Sequence, residues 1–361
     1  MFSHSDTVLD VLLMRHYIRP VHSLSMPRFY DFLPAALGEG QPFALGIISG
    51  IKGSSPQKKG AKALFYADGR IQGTLGGGCL EAEIQDRARR ALLTQTPATF
   101  ELVLDHDFGW DDGLICGGKV CGLILPNAAQ AADIWQKLAR CDQPLAWGVR
   151  KDFSFAWANG SDTDGDWLYR ETVSPPCALW IAGSGHVAQA VAPLALQLDF
   201  EVTVFDDRPT LANSQYFPAA TRCRVDYWET LLREPLSARP TFGLIVTRGH
   251  QHDALVLRVW VNRPFVFLGL IGSKRKRRLI FEQFIQDGIA TADQLAKVVC
   301  PVGLDIQAVS VPEIAVSVMA QFIQKRAELT NEQLSMNRRT PDPSQQGSVR
   351  PGRVSSPPGR G

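Results

Sequence analysis

The sequence predicts an α/β protein. An N-terminal α+β domain is followed by a Rossmann-like doubly wound parallel sheet and a disordered C-terminal tail. Three observations carry this. From Cys177 on, apolar strands alternate with amphipathic helices, the pattern of a parallel sheet covered on both faces. Before Cys177, short strands outnumber helices and turn around Asp68-Gly69 and similar breaks. Beyond residue 330, Pro, Ser and Gly replace the large apolar side chains, too little apolar surface to offset ordering entropy. A length of 361 residues suits two globular domains.

In chain order, residues 1–25 read as a disordered leader, and Met26 looks more like the opening of a domain. Residues 26–150 form the N-terminal domain. PFALGIISGI is a strand, AKALFYADGRIQGT a hairpin and LEAEIQDRARRALL a helix. TFELVL and KVCGLILP are further strands, and AAQAADIWQKLAR is a second helix. PLAWGVR closes the domain with a strand, and residues 151–176 hold two more short strands and a Ser-Pro-Pro linker. Residues 177–330 carry the strands ALWIAG, FEVTVFD, TFGLIVT and PFVFLGLIG, with helical patterns after the first, third and fourth, and end in the helix VPEIAVSVMAQFIQKRAEL. Residues 331–361 are the tail.

Charge and composition exclude several roles. A net charge of +2 lacks the concentrated basic surface that phosphate neutralisation needs, so no nucleic-acid partner is expected. No apolar run reaches the roughly 20 residues that span a bilayer. The early stretch VLDVLLMRHYI is broken by Asp10 and lacks the flanks of a secretory signal. Seven Cys without an export signal point to free thiols in a reducing compartment, the cytoplasm.

Two sets of residues carry chemistry. In the second half, ALWIAG runs into Gly183-Ser184-Gly185-His186-Val187-Ala188, a G-x-G-x-x-A turn that opens a helix. The first Gly permits the tight turn, the second lets a phosphate approach the backbone, and the helix N-terminus favours negative charge. FEVTVFD ends at Asp206, 23 positions after Gly183, where an acid meets a ribose hydroxyl. An empty Rossmann fold would show the same pattern. Pro193 falls inside the helix, where a kink is expected. Ser273 and Lys274 open a five-cation run, at another strand-to-helix turn, that suits a phosphate-bearing ligand or a solvated helix start. His250 and His252 in TRGHQHD are spaced for a solvated loop rather than a metal.

In the first half, Gly76-Gly77-Gly78-Cys79 sets a thiol at the start of a helix, where free N–H groups stabilise negative charge on sulfur. Cys116-Gly117-Gly118 sets a second cysteine in a glycine-rich turn. Thiols presented this way suit a soft metal centre or a sulfur-transfer step, and the alternative is two buried small hydrophobes.

The order GSSPQKKGA, DGRIQGTLGGGCLEAEI, GWDDGLICGG, AGSGHVAQAVAPLA, FDDRP, TRGHQHD, FLGLIGSKRKR and PVGLDIQAVSVPEIAVSV resembles the XdhC/CoxI family across residues 30–325. These are accessory proteins of xanthine dehydrogenase and related molybdenum hydroxylases. The resemblance implies a carrier rather than a turnover catalyst. Such a protein binds the molybdenum cofactor (molybdopterin), shelters it while a cysteine desulfurase supplies its sulfido ligand, and inserts it into the apo-enzyme. It implies Cys79 and Cys116 beside the molybdenum, with Gly183, Gly185 and Asp206 on the pterin phosphate or a nucleotide. It also implies a homodimer. Gln57 stands where the family often has Arg, and Lys58 and Lys59 are the available substitutes. A second reading, an NAD(P)-dependent oxidoreductase, rests on the Rossmann turn with Asp206, with His186, His250 and His252 as its only acid/base candidates.

Overall fold

A computed structural model describes residues 28–55, 57–104, 118–158, 164–236 and 238–339. The N-terminal half opens with helix α1 (Phe29–Glu39), which ends on Gly40 in a left-handed conformation. Strands β1 (Phe43–Lys52), β2 (Lys62–Tyr66) and β3 (Ile71–Gly73) then lead into helix α2 (Gly78–Thr94). Strands β4 (Ala98–Leu104) and β5 (Gly118–Leu125) complete an antiparallel sheet of order β3-β2-β1-β5-β4. The alternation of β2 explains its two-sided burial. Leu64 and Tyr66 face a core with Tyr30, Leu33 and Trp135, while Ala63 and Phe65 face α2 through Leu80 and Ile84.

Helix α3 (Ala132–Ala139) follows, and then a three-stranded sheet of β6 (Leu145–Arg150), β7 (Phe155–Trp157) and β8 (Trp167–Val173). β6 pairs with both β7 and β8, and Trp147, Val149, Tyr169 and Val173 join the core of the first sheet. The strands on either side of residue 150 therefore pair in one sheet.

The second half is built on β9 (Ala178–Ala182), α4 (His186–Gln197), β10 (Glu201–Asp206), β11 (Arg222–Val225) and α5 (Trp228–Leu231). It continues through β12 (Thr241–Ile245), α6 (His250–Trp260), β13 (Phe267–Leu270), α7 (Lys274–Gln286), α8 (Ala292–Ala296), β14 (Val298–Val299) and α9 (Val311–Arg339). The six strands are all parallel, in the order β11-β10-β9-β12-β13-β14. Chain order reverses direction at β9, so the crevice between β9 and β12 is the topological switch point where ligands of such sheets bind. Central strands β9 and β12 are buried along their whole length, as parallel strands covered by helices on both faces must be. α9 packs against one face with Ala315, Val318, Met319 and Phe322.

Several sequence expectations shift. Helices α2, α6 and α7 begin earlier than the apolar periodicity suggested, because their first turns carry Gly, His or cations rather than core residues. α9 runs to Arg339, into the stretch read as tail. Pro193 lies within α4, which continues to Gln197. The short elements α1, β11, α5, α8 and β14 had no distinct sequence signal.

Candidate functional site

Two glycine-rich edges collect the residues that the sequence singled out. In the N-terminal sheet, the end of β1, the start of β2 and the end of β3 lie on one side, since Ile47 faces Lys62 and Ala63 faces Gly73. Lys52 faces Lys119, and Leu104 faces Gly118. The 53–60 loop, the 74–78 turn and both flanks of segment 105–117 therefore share this edge. Gly118 is required there, since a Cβ would run into the carbonyl of Ser54. Cys116 and Gly117 lie outside the described residues.

The turn that presents Cys79 is held from both ends. Leu75 is fully buried, its N–H donates to Glu81 Oε1 at 2.9 Å, and the Thr74 N–H donates to the Lys62 carbonyl at 3.2 Å. Between these anchors Gly76, Gly77 and Gly78 adopt φ of 124°, 71° and 57°. L-side chains avoid that region, which explains the run of three glycines. A Cβ on Gly77 or Gly78 would meet nothing within 4 Å, so the space over the turn is open. No side chain caps the N-terminus of α2, and Cys79 in its first turn is partly exposed. A soft, anionic ligand fits this arrangement: a thiol, unused N–H groups and room to approach. Lys58 and Lys59 are exposed on the neighbouring loop.

Behind that edge lies a buried polar cluster that sequence reasoning missed. Lys62 Nζ donates to the Gly60 carbonyl at 2.8 Å, Tyr169 Oη at 3.3 Å and Glu171 Oε2 at 2.5 Å. Tyr169 also donates to Glu171 Oε2, and Trp147 Nε1 donates to Glu171 Oε1 at 3.2 Å and Tyr30 Oη at 3.0 Å. Burial pushes Lys62 down to about 7, pushes Glu171 up to about 8 and raises Tyr169. The available signal was a lysine heading the apolar strand KALFY, where only a paired cation is tolerated.

The second edge is the carboxyl end of the parallel sheet. The register aligns Ala182 with Phe205 and Ile245, and Ile245 with Leu270, so four loops leave from one row. Gly183 has φ 114°, and a Cβ there would collide with the Val246 carbonyl, which makes glycine obligatory. Gly185, the N-cap of α4, has φ −73° and open space around its Cβ position. The first glycine thus serves the turn and the second serves access. Ser184 and Ala188 are fully buried, and His186 is exposed.

Asp206 does not stand ready for a ligand's ribose. It is fully buried, and its Oδ2 accepts from Ser184 N at 2.7 Å, Ser184 Oγ at 2.8 Å and Arg208 Nη2 at 2.8 Å. Its Oδ1 accepts from Arg208 N at 3.0 Å and Nε at 2.8 Å. Burial alone would raise the carboxyl, but the hydrogen bonds from Arg208 and Ser184 outweigh it and hold it at about 2. Beside it, Arg248 Nη2 donates to Asp207 Oδ2 at 2.9 Å and lies 3.0 Å from His252 Nε2. His252 is engaged in that contact, and among the described residues no three His, Cys, Asp or Glu gather as a metal site.

Of the five cations, Lys276 is drawn inward. It pairs with Asp253, itself 1% exposed, which also accepts from Thr247 Oγ1 at 2.6 Å. Ser273 is the N-cap of α7 and accepts from the Lys276 N–H at 3.1 Å, while Lys274 is exposed. The cation run is therefore compensated at its third member.

Comparison with known proteins decides the family. Residues 179–322 match the XdhC Rossmann domain, and residues 36–103 match the XdhC and CoxI family. The chain belongs to the XdhC/CoxI family. Its relatives include a Bacillus subtilis protein named as a probable xanthine dehydrogenase subunit, 26% identical over 83% of this chain and 98% of that protein. The molybdenum cofactor insertion chaperone PaoD of Escherichia coli is 24% identical, covering 82% and 87%. The uncharacterised YqeB of Escherichia coli is 29% identical over 81% of this chain, which spans only 46% of YqeB. A crystal structure from Bacillus halodurans, named a xanthine dehydrogenase, superposes with a TM-score of 0.72 at 27% identity, covering 83% of this chain and 96% of that one. Among the described residues of this XdhC/CoxI chain, no helix is long and apolar enough to cross a membrane.

Proposed function

We propose that this chain is a cytoplasmic accessory chaperone that binds the molybdenum cofactor, supports its sulfuration and inserts it into a xanthine dehydrogenase-type hydroxylase. The observation that carries the reading is the Gly76–Cys79 turn: a partly exposed thiol at an uncapped helix N-terminus, beneath open space. The cofactor is cargo here. Its sulfur-ligated metal suits a soft thiol, and its phosphate suits the backbone N–H groups at the start of α4, which Gly185 leaves accessible. In this reading Cys79 lies beside the molybdenum, with Cys116 as its second thiol. Gly183, Gly185 and His186 flank the phosphate, and Ser273 and Lys274 border the same cleft. A cysteine desulfurase supplies the sulfur, the apo-hydroxylase receives the cargo, and the carrier works as a homodimer. Family membership and the name of the relative PaoD support the reading.

The test is metal analysis and fluorescent pterin release on protein isolated anaerobically from a molybdate-fed host. Molybdenum and pterin near one per chain is the expected result. A bound pyridine nucleotide with neither would contradict it and favour a dehydrogenase.

A further inference from the structure

The acid that ends the second strand of a Rossmann unit ordinarily reads a ribose diol, and an arginine nearby instead accommodates a phosphate on that sugar. This chain has both residues, Asp206 and Arg208, and the two are locked together. The guanidinium forks onto both carboxylate oxygens through Nε and Nη2, while Ser184 supplies two more donors from the turn itself. With five donors on two buried oxygens, Asp206 has no lone pair or surface left for a diol. Asp207, the next carboxylate, is held by Arg248. Arg208 itself remains about a quarter exposed, at 26% of its side chain, and its fork uses only part of the guanidinium's five N–H donors.

We propose that the Rossmann cleft takes a ligand bearing a phosphate monoester and rejects one offering a ribose diol at the end of β10, with Arg208 as the residue that sets the choice. The inference rests on the cleft being the seat of the cofactor's phosphate. A diol arriving at this strand end would have to displace a charge-assisted, bidentate ion pair, whereas a phosphate adds acceptors to donors already present.

The experiment uses the full chain and two probes, adenosine 2′,5′-bisphosphate and ADP, titrated calorimetrically. The wild type is expected to bind the bisphosphate about tenfold tighter or better, a difference within reach of one charge-assisted contact. Arg208→Ala removes the donor and uncovers Asp206, so the ratio should collapse or invert. Arg208→Gln, which retains a polar group over Asp206, is the companion should the alanine variant not fold, and it should also lose the preference. Equal affinity of the wild type for both probes, binding of neither at millimolar concentration, or a ratio unmoved in a folded variant would overturn the proposal. Pterin content is read separately. Cofactor present without the probe preference sinks only this inference, and the preference without cofactor sinks only the carrier reading.

Discussion

Glu171 and Asp206 are both largely removed from water and both face a cation, yet their surroundings drive them in opposite directions. At Glu171 the donors are a lysine, a phenol and an indole, and burial prevails, raising the carboxyl to about 8 while Lys62 falls to about 7. At Asp206 a bidentate guanidinium, a backbone N–H and a hydroxyl together overcome burial and hold it at about 2. The difference is one of donor number and geometry. A lysine presents a point charge whose own desolvation is severe, and a guanidinium keeps its charge and matches two oxygens at once. The first site is a buried lysine, tyrosine and glutamate cluster that braces the N-terminal edge, and the second is a fixed ion pair that shapes the Rossmann cleft.

The largest effect should follow from breaking the first site. Lys62→Met leaves Glu171 buried without its cation, which costs about 3–5 kcal/mol in denaturant titration above about pH 8, where the carboxyl is ionised. Because the folded pKa of Glu171 lies above 4.5, stability is full below that value and is lost as pH rises through about 8. The deficit of Lys62→Met should therefore shrink towards about pH 5. Pairing it with Glu171→Leu should recover most of the loss, since replacing both partners by apolar groups is often close to neutral. A single variant as stable as the wild type would mean the cluster is not buried as described.

A middle-sized effect belongs to Arg208→Ala. It removes charge-assisted bonds from Asp206 but leaves both Ser184 donors, and about 1.5–3 kcal/mol should be lost. Here the linkage has the opposite sign. The depressed carboxyl of Asp206 contributes stability above 3.8 that disappears as pH falls through about 2, so the variant should begin to unfold in less acidic solution. The smallest change is Ser273→Ala, which removes the neutral cap of α7 and should cost about 1 kcal/mol with no pH dependence. A pH-dependent loss there would mean that the cation run, rather than the cap, governs that helix start.

The Rossmann half was legible because its signals are local. ALWIAG leads into G-x-G-x-x-A, and an acid follows at the next strand end, so strand, turn and helix are read within one window. The glycine roles also follow from steric rules that hold wherever a turn meets a neighbouring strand. The state of Asp206 was not legible, because Arg208, two positions on, can point to solvent or fold back, and only tertiary geometry decides. In the N-terminal half the Gly76–Cys79 turn was visible, but its place beside the 53–60 loop and Gly118 depends on antiparallel register across five strands. The Lys62–Glu171 pair joins residues far apart in the chain, with only a lysine in an apolar strand as a hint.

Whether both edges serve one cargo is decided by cofactor retention in two variants. Cys79→Ser removes the thiol without altering the turn. Gly185→Asp is sterically free, with φ −73° and no neighbour at the Cβ position, and Asp is a good helix N-cap, so the chain should fold while repelling a phosphate. Each variant, isolated like the wild type, should lose most of its molybdenum and pterin. Full retention by either one, with the fold intact, would contradict a shared cargo.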